Sequence, residues 1–220
     1  MSSITSKKAL ASLFALSGCI SAIAADVATP FSQAAYDSVA EDKAVVLVSA
    51  NLARRWKCGA FENAQLQSLG FDRISSEKAT SDKADILIED GSWLSAKQGF
   101  TNVALIVEPG EYQFSSYKIK AAKSISQVGN YSGDRSTLMV DGKSKAGGFS
   151  VGAGEVIYIG HFALDCASAP MPWRYYSEDK AAFLKYLEAV AREYPGLPTQ
   201  HAKFRLFETT LMGNPFRLPE

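Results

Sequence analysis

The residues in this sequence that are best suited to chemistry are three cysteines and two histidines. The cysteines are Cys19, Cys58 and Cys166, and the histidines are His161 and His201. An imidazole beside a thiol can activate it as a nucleophile, so His161 with Cys58 or Cys166 is the pair to consider. The spacing fits neither an H-E-x-x-H helix nor a Cys-x-x-Cys site. The sequence therefore favours a structural role for His161 and predicts no metal site and no cofactor.

Other catalytic motifs are also missing from the sequence. It contains no G-x-S-x-G elbow for a serine nucleophile and no G-x-x-x-x-G-K-[ST] loop for a phosphate group. The acidic residues are numerous, but no two of them are singled out as a general acid and base. The sequence predicts no catalytic residue and favours a protein that is not an enzyme.

The N-terminal residues have the pattern of a secretory signal. Two lysines precede an uncharged apolar stretch, residues 9–18, which is shorter than the about 20 residues that a membrane-spanning helix needs. The following Leu16-Ser17-Gly18-Cys19 resembles the lipobox of bacterial lipoprotein precursors. This resemblance implies that residues 1–18 are a signal peptide and that Cys19 becomes an acylated first residue, with chains such as palmitate. The membrane, reached through this lipid, is then the first predicted partner.

An ordinary signal-peptidase site at Ala22-Ile23-Ala24 is the competing interpretation, and it would give a soluble periplasmic protein. We favour lipidation because all four lipobox positions fit and Cys19 lies where the apolar stretch ends. By resemblance to sorting in enterobacteria, Ile20 favours the outer membrane. We therefore expect an outer-membrane lipoprotein that faces the periplasm.

Cys58 and Cys166 remain once the lipid-bearing cysteine is set aside. In an oxidising compartment, two such cysteines favour a disulfide bond. The alternative is two separate buried thiols that act as small apolar side chains. The sequence predicts the disulfide.

Composition predicts a folded domain and excludes one class of partner. Hydrophobic residues make up 47% of the chain and aromatic residues 11%, which is typical of globular proteins. The formal net charge is zero, and Lys and Arg are scattered along the chain. A protein without a basic stripe is not expected to bind nucleic acid.

The chain after the signal divides into a tether, a domain and a tail. Residues 19–42 are rich in Ala and Ser and are predicted to be a lipidated tether, although Phe31 to Ala40 could form a short helix. Residues 43–198 are predicted to form a β-sandwich with one helix, and residues 199–220 a C-terminal tail over its surface. The apolar, β-branched run from Lys43 to Ala50 predicts a strand that is buried on both faces.

One amphipathic helix is predicted near the C-terminus. Ser177 is a suitable N-cap, and Pro195-Gly196 ends the helical pattern. Six apolar residues between them share one face at a spacing of 3.6 residues: Phe183, Leu184, Leu187, Val190, Ala191 and Tyr194. This face is expected to pack on a sheet.

Two turns share the pattern V-x-x-G-E-x-x-(Tyr/Phe). The first contains Pro109-Gly110, and the second contains Gly152 and Gly154. Both are predicted to be β-hairpins, because Pro presets φ and Gly accepts a positive φ. The first turn resembles the P-G-x-Y turn of transthyretin-like and carboxypeptidase-regulatory-type sandwiches. The predicted fold is mainly β (α+β), an antiparallel β-sandwich with one C-terminal amphipathic helix packed against it.

The segment Trp173-Arg174-Tyr175-Tyr176 has the composition of a binding patch, since Trp, Tyr and Arg dominate interface hot spots. The alternative is that these rings fix the helix against the sheet. Arg54-Arg55-Trp56 allows the same two interpretations.

The anchor and the missing catalytic motifs together favour a non-enzymatic binding or accessory module of the bacterial cell envelope, with an envelope protein as a further partner. The resemblance to transthyretin-like modules implies the same kind of role. Two alternatives are a soluble periplasmic enzyme and an inhibitor or immunity-type protein.

Overall fold

The structure is a computed structural model that describes residues 28–74, 83–89 and 99–219, so the predicted signal peptide and Cys19 lie outside the described residues. The described elements in chain order are β1 (Thr29–Pro30), α1 (Gln33–Asp37), β2 (Ala44–Ala50), β3 (Arg55–Cys58), β4 (Phe61–Arg73), β5 (Ile86–Glu89), β6 (Thr101–Val107), β7 (Gly110–Ser124), β8 (Gln127–Gly133), α2 (Arg135–Leu138), β9 (Met139–Val140), β10 (Lys143–Ser144), β11 (Gly148–Val151), β12 (Val156–Asp165), β13 (Met171–Tyr175), α3 (Lys180–Glu193), a 3-10 turn (Thr199–His201) and β14 (Lys203–Phe204).

Two six-stranded sheets form the body of the protein. Sheet A has the order β1-β6-β2-β12-β13, and β14 also pairs with β12. Sheet B has the order β11-β7-β4-β3, with β5 on β4 and β8 on β7. The short pair β9 and β10 forms a separate ribbon. The predicted mainly-β fold with sandwich-like sheets and a C-terminal helix is confirmed.

Strand direction differs from the purely antiparallel expectation in sheet A. β12 runs parallel to β2 and to β14, whereas the other named strand pairs are antiparallel. The sequence pattern does not specify whether a neighbouring strand runs parallel or antiparallel. All six strands of sheet B lie between β2 and β12 in the chain. The long connection that a parallel pair requires is therefore present.

The prediction of a strand buried on both faces is confirmed by β2, in which every residue is buried. Val46 and Val48 face sheet B in the core between the sheets. Val45 and Leu47 face the opposite side, where α3 covers sheet A. A strand between two layers needs apolar residues at consecutive positions, which explains the unbroken apolar run.

The core between the sheets is organised around Phe71. Its ring contacts four others edge to face, at centroid distances of 5.4 Å to Phe114, 5.7 Å to Phe149, 5.9 Å to Phe162 and 5.8 Å to Phe207. Edge-to-face packing places the positive edge of one ring on the negative face of the next. Both sheets and the C-terminal segment are thus joined at one aromatic cluster.

The predicted helix is present as α3, but its N-cap and its buried face differ from the expectation. Asp179 is the N-cap, and its carboxylate accepts a hydrogen bond of 2.7 Å from the amide of Ala182. Leu184 is 51% exposed, and Tyr186 takes its place on the buried face. The face of α3 that packs on the sheet is narrower than the apolar face that the 3.6-residue spacing indicates. Among the described helices, none is long and apolar enough to cross a membrane.

The fold extends beyond the predicted boundaries at residues 43 and 198. At the N-terminal side, β1 pairs with β6, and Phe31 is only 7% exposed. At the C-terminal side, β14 joins sheet A and Phe207 lies in the central core. Residues 28–42 and 199–219 are therefore packed parts of the domain. The Ala- and Ser-rich composition conceals this because Phe31 is the only one of residues 28–42 that is buried.

The two predicted hairpins are corners between the sheets. β6 belongs to sheet A and β7 to sheet B, and β11 belongs to sheet B and β12 to sheet A. Gly110 and Gly154 have positive φ values of 156° and 68°, so the turn chemistry was assigned correctly. Turn residues specify a reversal of the chain, but they do not specify which sheet the next strand joins.

Candidate functional site

The two cysteines of the folded part are joined. Cys58 and Cys166 form a disulfide bond with a Cα–Cα separation of 4.6 Å, as predicted. Cys58 is fully buried at the end of β3. Because both sulfurs are bonded to each other, neither is a free thiol that His161 could activate as a nucleophile. This corrects the hypothesis of a Cys–His enzyme based on these residues.

The predicted patch of residues 173–176 is divided between two faces of sheet A. In β13, Trp173 and Tyr175 pair with Ala163 and His161, which place them on the side of α3. Arg174 pairs with Phe162, and its side chain leaves the strand on the opposite side and is buried. Alternation along a strand requires this division. The four side chains therefore do not form one continuous surface.

Arg174 is the most unusual residue of this segment, because it is a cation that is only 3% exposed. Its Nη1 donates a hydrogen bond of 3.0 Å to the carbonyl of Phe207, and its Nη2 donates to the carbonyl of Asn214. Its Cζ lies 5.4 Å from the centre of the Tyr176 ring. The guanidinium group of Arg174 thus links β13 to the C-terminal segment, residues 205–219.

The charge of Arg174 is not balanced by a carboxylate. Within the described residues it forms no ion pair, and its Nε–H has no hydrogen-bond partner. Burial lowers the pKa of this guanidinium, while Tyr176 and Tyr158 act in the opposite direction. Arginine nevertheless stays protonated in proteins, so the chain keeps a positive charge in a desolvated position.

A pocket of about 780 Å³ opens beside Arg174. We call it the C-terminal pocket. Its lining comes from the loop 144–147, from residues 204–210 and from residues 215–218, together with Arg174. Phe204 and Phe216 form an aromatic wall with ring centroids 6.0 Å apart. Phe216 also stacks on Tyr176, at 4.0 Å between centroids and 17° between the ring planes.

The lining of the C-terminal pocket carries an excess of positive charge. Its charged residues are Lys145, Arg174, Arg205, Arg217 and Glu208. Arg205 is already paired, because both of its terminal nitrogens contact the carboxylate of Glu155 at 2.6 and 3.1 Å.

This contact has a clear electrostatic consequence for Glu155. Its pKa is lowered to about 2, mainly by the hydrogen bonds from Arg205 and Lys203 and by the amide of Gly152. Lys145, Arg174 and Arg217 are then opposed in the pocket lining by Glu208. The pocket therefore favours an anion over a cation.

Two glycines set the shape of the pocket. Gly147 has a φ of 112°, and a Cβ at this position would lie 1.9 Å from the carbonyl oxygen of Glu208. This close approach lets Gly148 and Glu208 exchange backbone hydrogen bonds of 3.0 and 2.8 Å. A Cβ on Gly213 would lie 3.0 Å from both Nε and Nη2 of Arg174, so glycine at this position lets the backbone pack closely against the guanidinium.

His161 lies on the side of sheet A that α3 covers, among aromatic rings. Its Nδ1 shares a hydrogen bond with the hydroxyl of Tyr158, and its ring centroid is 5.1 Å from those of Phe100 and Tyr186. Burial lowers its pKa to about 4. A general base works best when its pKa is near the working pH, so this imidazole is poorly suited to that task at pH 7. The surroundings agree with the structural role that the sequence favoured.

The second candidate patch of the sequence, Arg54-Arg55-Trp56, contains one side chain that is hydrogen-bonded to the backbone and one exposed ring. Arg55 donates a hydrogen bond of 3.1 Å to the carbonyl of Leu164. Trp56 is 60% exposed, and the Cζ of Arg54 lies 5.7 Å from its ring centre. No group of three or more His, Cys, Asp or Glu side chains that could hold a metal ion is found in the described part of the chain.

Comparison of the chain with protein-family models, with curated protein sequences and with solved structures found no match. The candidate site is therefore identified from the geometry of this chain alone.

Sequence reasoning selected Arg174 and Tyr176 but missed the rest of the pocket. Phe204, Phe216 and Arg217 were assigned to a surface tail because residues 199–220 have no helical or strand periodicity. The available signal was composition, since three phenylalanines in a short tail exceed what a solvated segment needs. That signal does not identify the surface on which the rings pack.

Proposed function

We propose that this chain is a lipoprotein of the bacterial cell envelope, anchored in the outer membrane through Cys19, whose periplasmic domain is a non-enzymatic binding module. The observation that carries the binding role is the C-terminal pocket with the unbalanced, buried charge of Arg174 at its side. Its volume of about 780 Å³ is within the range of about 300–1,000 Å³ that is usual for ligand sites. An aromatic wall with a few polar groups is the usual composition of such sites.

Two further features support the proposal. The Cys58–Cys166 disulfide is of the kind that persists in oxidising compartments such as the periplasm. The lipobox-like residues 16–19 would give a mechanism for anchoring. The bacterial lipoproteins that this motif resembles carry three acyl chains, which hold a protein in a membrane far more firmly than one.

The anchor is tested with two variants of the full-length chain that distinguish the two signal interpretations. Under the proposal, Cys19→Ser abolishes the incorporation of labelled palmitate, whereas Ala24→Leu leaves processing and lipid unchanged. Cleavage after Ala24 would give the opposite pattern. In that case Ala24→Leu would block processing, Cys19→Ser would have no effect, and the lipoprotein proposal would be wrong. Density separation of inner and outer membranes then tests the outer-membrane location.

The non-enzymatic role is tested by incubating the mature protein with peptidoglycan, glycan and ester substrates. We expect no turnover above that of a heat-denatured sample. Turnover that is lost after one side-chain substitution in the described domain would contradict this part of the proposal.

A further inference from the structure

We propose that the C-terminal pocket binds an amphipathic carboxylate, with the carboxylate at Arg174 and the apolar body against Phe204, Phe216 and Leu218. This inference rests on the proposed binding function and names the chemical class of its ligand. It does not depend on the lipid anchor, so the two can fail separately.

The first argument is the state of Arg174. A buried cation is costly unless a counter-charge and hydrogen bonds compensate it. The carbonyls of Phe207 and Asn214 supply two hydrogen bonds, but the Nε–H has no partner in the described part of the chain. Guanidinium groups bind carboxylates through two parallel N–H groups, which gives a strong and directional contact. A carboxylate is thus the group that would compensate this charge.

The second argument is the charge of the surrounding lining. Lys145 and Arg217 are exposed residues of the same pocket, with Glu208 as the opposing acid. Arg205 is neutralised by its contacts with Glu155. The excess positive charge attracts an anion and disfavours a cation of the same shape.

The third argument is the apolar part of the lining. Phe204, Phe216, Leu206 and Leu218 border the same space as the arginine. A small inorganic anion would leave most of this surface in water. An alkyl or aryl body bound there would gain free energy from each methylene that it buries.

The experiment is a calorimetric titration of the mature protein, in lipid nanodiscs if it carries lipid and in buffer if it does not. The probes are octanoate, decanoate, octyl phosphate and octyltrimethylammonium, each also titrated into empty nanodiscs. We expect saturable 1:1 binding of octanoate and about ten times tighter binding of decanoate, since each methylene changes Kd by about three- to fourfold. The cation is expected not to bind.

Two pairs of variants assign the binding to this pocket. Arg174→Met removes the charge, and we expect octanoate affinity to fall by about 10- to 100-fold. Arg55→Met is its control, because Arg55 also donates to a backbone carbonyl but does not line the pocket. Leu218→Glu places an acid in the pocket and should abolish binding of octanoate even if Arg174→Met does not fold. Its control is Leu211→Glu, at an exposed position of the same segment that is outside the lining.

Each result of these titrations either supports or contradicts the proposal. Selective octanoate binding that both pocket variants lose and both controls keep supports the proposal. Equal binding of the cation, tighter binding of octyl phosphate, absence of saturable binding, or unchanged affinity in Leu218→Glu would overturn it. None of these results depends on whether Cys19 carries lipid.

Discussion

Acidification is expected to destabilise the domain through His161. Its pKa is lowered to about 4 in the folded state by burial, compared with 6.5 for an ordinary histidine. Between these two values the unfolded state binds more protons than the folded state. The free energy of unfolding must therefore fall as the pH decreases from about 6.5 to about 4.

The size of this effect follows from the difference in pKa. One pH unit corresponds to about 1.4 kcal/mol, so the full loss is about 3 kcal/mol and about 2 kcal/mol of it is reached at pH 5. Glu155 does not interfere between pH 7 and pH 5. Its pKa changes from 4.5 to about 2, so its contribution is lost below pH 4.5.

Urea unfolding followed by tryptophan fluorescence at pH 7, 6 and 5 measures this loss, with the disulfide intact. His161→Gln should flatten the dependence of the unfolding free energy on pH, although it lowers the stability at pH 7. His201→Gln is the matched control, because His201 is exposed on the surface. If His161→Gln retained the wild-type slope between pH 7 and 5, the assignment of the acid sensitivity to this residue would be refuted.

Three further predictions concern stability and use the same urea assay. Replacing Cys58 and Cys166 by Ser should cost up to about 4–5 kcal/mol, because the bond closes a loop of 108 residues, and an unchanged midpoint would argue against the bond. Phe207→Ala should cost about 3–5 kcal/mol, since its ring is fully buried against Phe71, and a small loss would mean that the C-terminal segment is not part of the core. Phe31→Ala should lower the free energy of unfolding by about 3 kcal/mol. If residues 28–42 were a loose tether, this substitution would not change the free energy of unfolding.

Periodicity and burial explain what could be predicted from the sequence. The apolar run predicted the strand β2, because both faces of that strand are buried. The 3.6-residue spacing predicted the helix α3, because one face of that helix packs on a sheet. The disulfide followed from having only two cysteines left in the folded part. These features could be predicted because they depend on local residue patterns and on the number of cysteines.

The corners between the two sheets and the C-terminal pocket depend on contacts between residues that are far apart in the chain. Local sequence patterns do not indicate such contacts. The turn at Pro109-Gly110 was identified, but the sheet that β7 joins is decided by its pairing with β4, far away in the chain. Likewise Arg174 is buried by contacts with residues far along the chain, among them Phe207 and Asn214, whose carbonyls accept its hydrogen bonds. A segment without periodicity gives no information about where it packs, and the pocket is made largely of such a segment.

The pairing of β1 with β6 limits how far the domain can lie from a bilayer. Because Thr29 is fixed in the sheet, only eight residues, or nine residue-to-residue steps, lie between an anchored Cys19 and the folded surface at residue 28. Even a fully extended chain of that length spans about 30 Å, compared with about 80 Å for the 24 residues up to position 43. A lipidated form would thus keep residue 28 within about 30 Å of its point of attachment in the lipid layer. The partners that such a form could meet would be those that come close to the membrane surface.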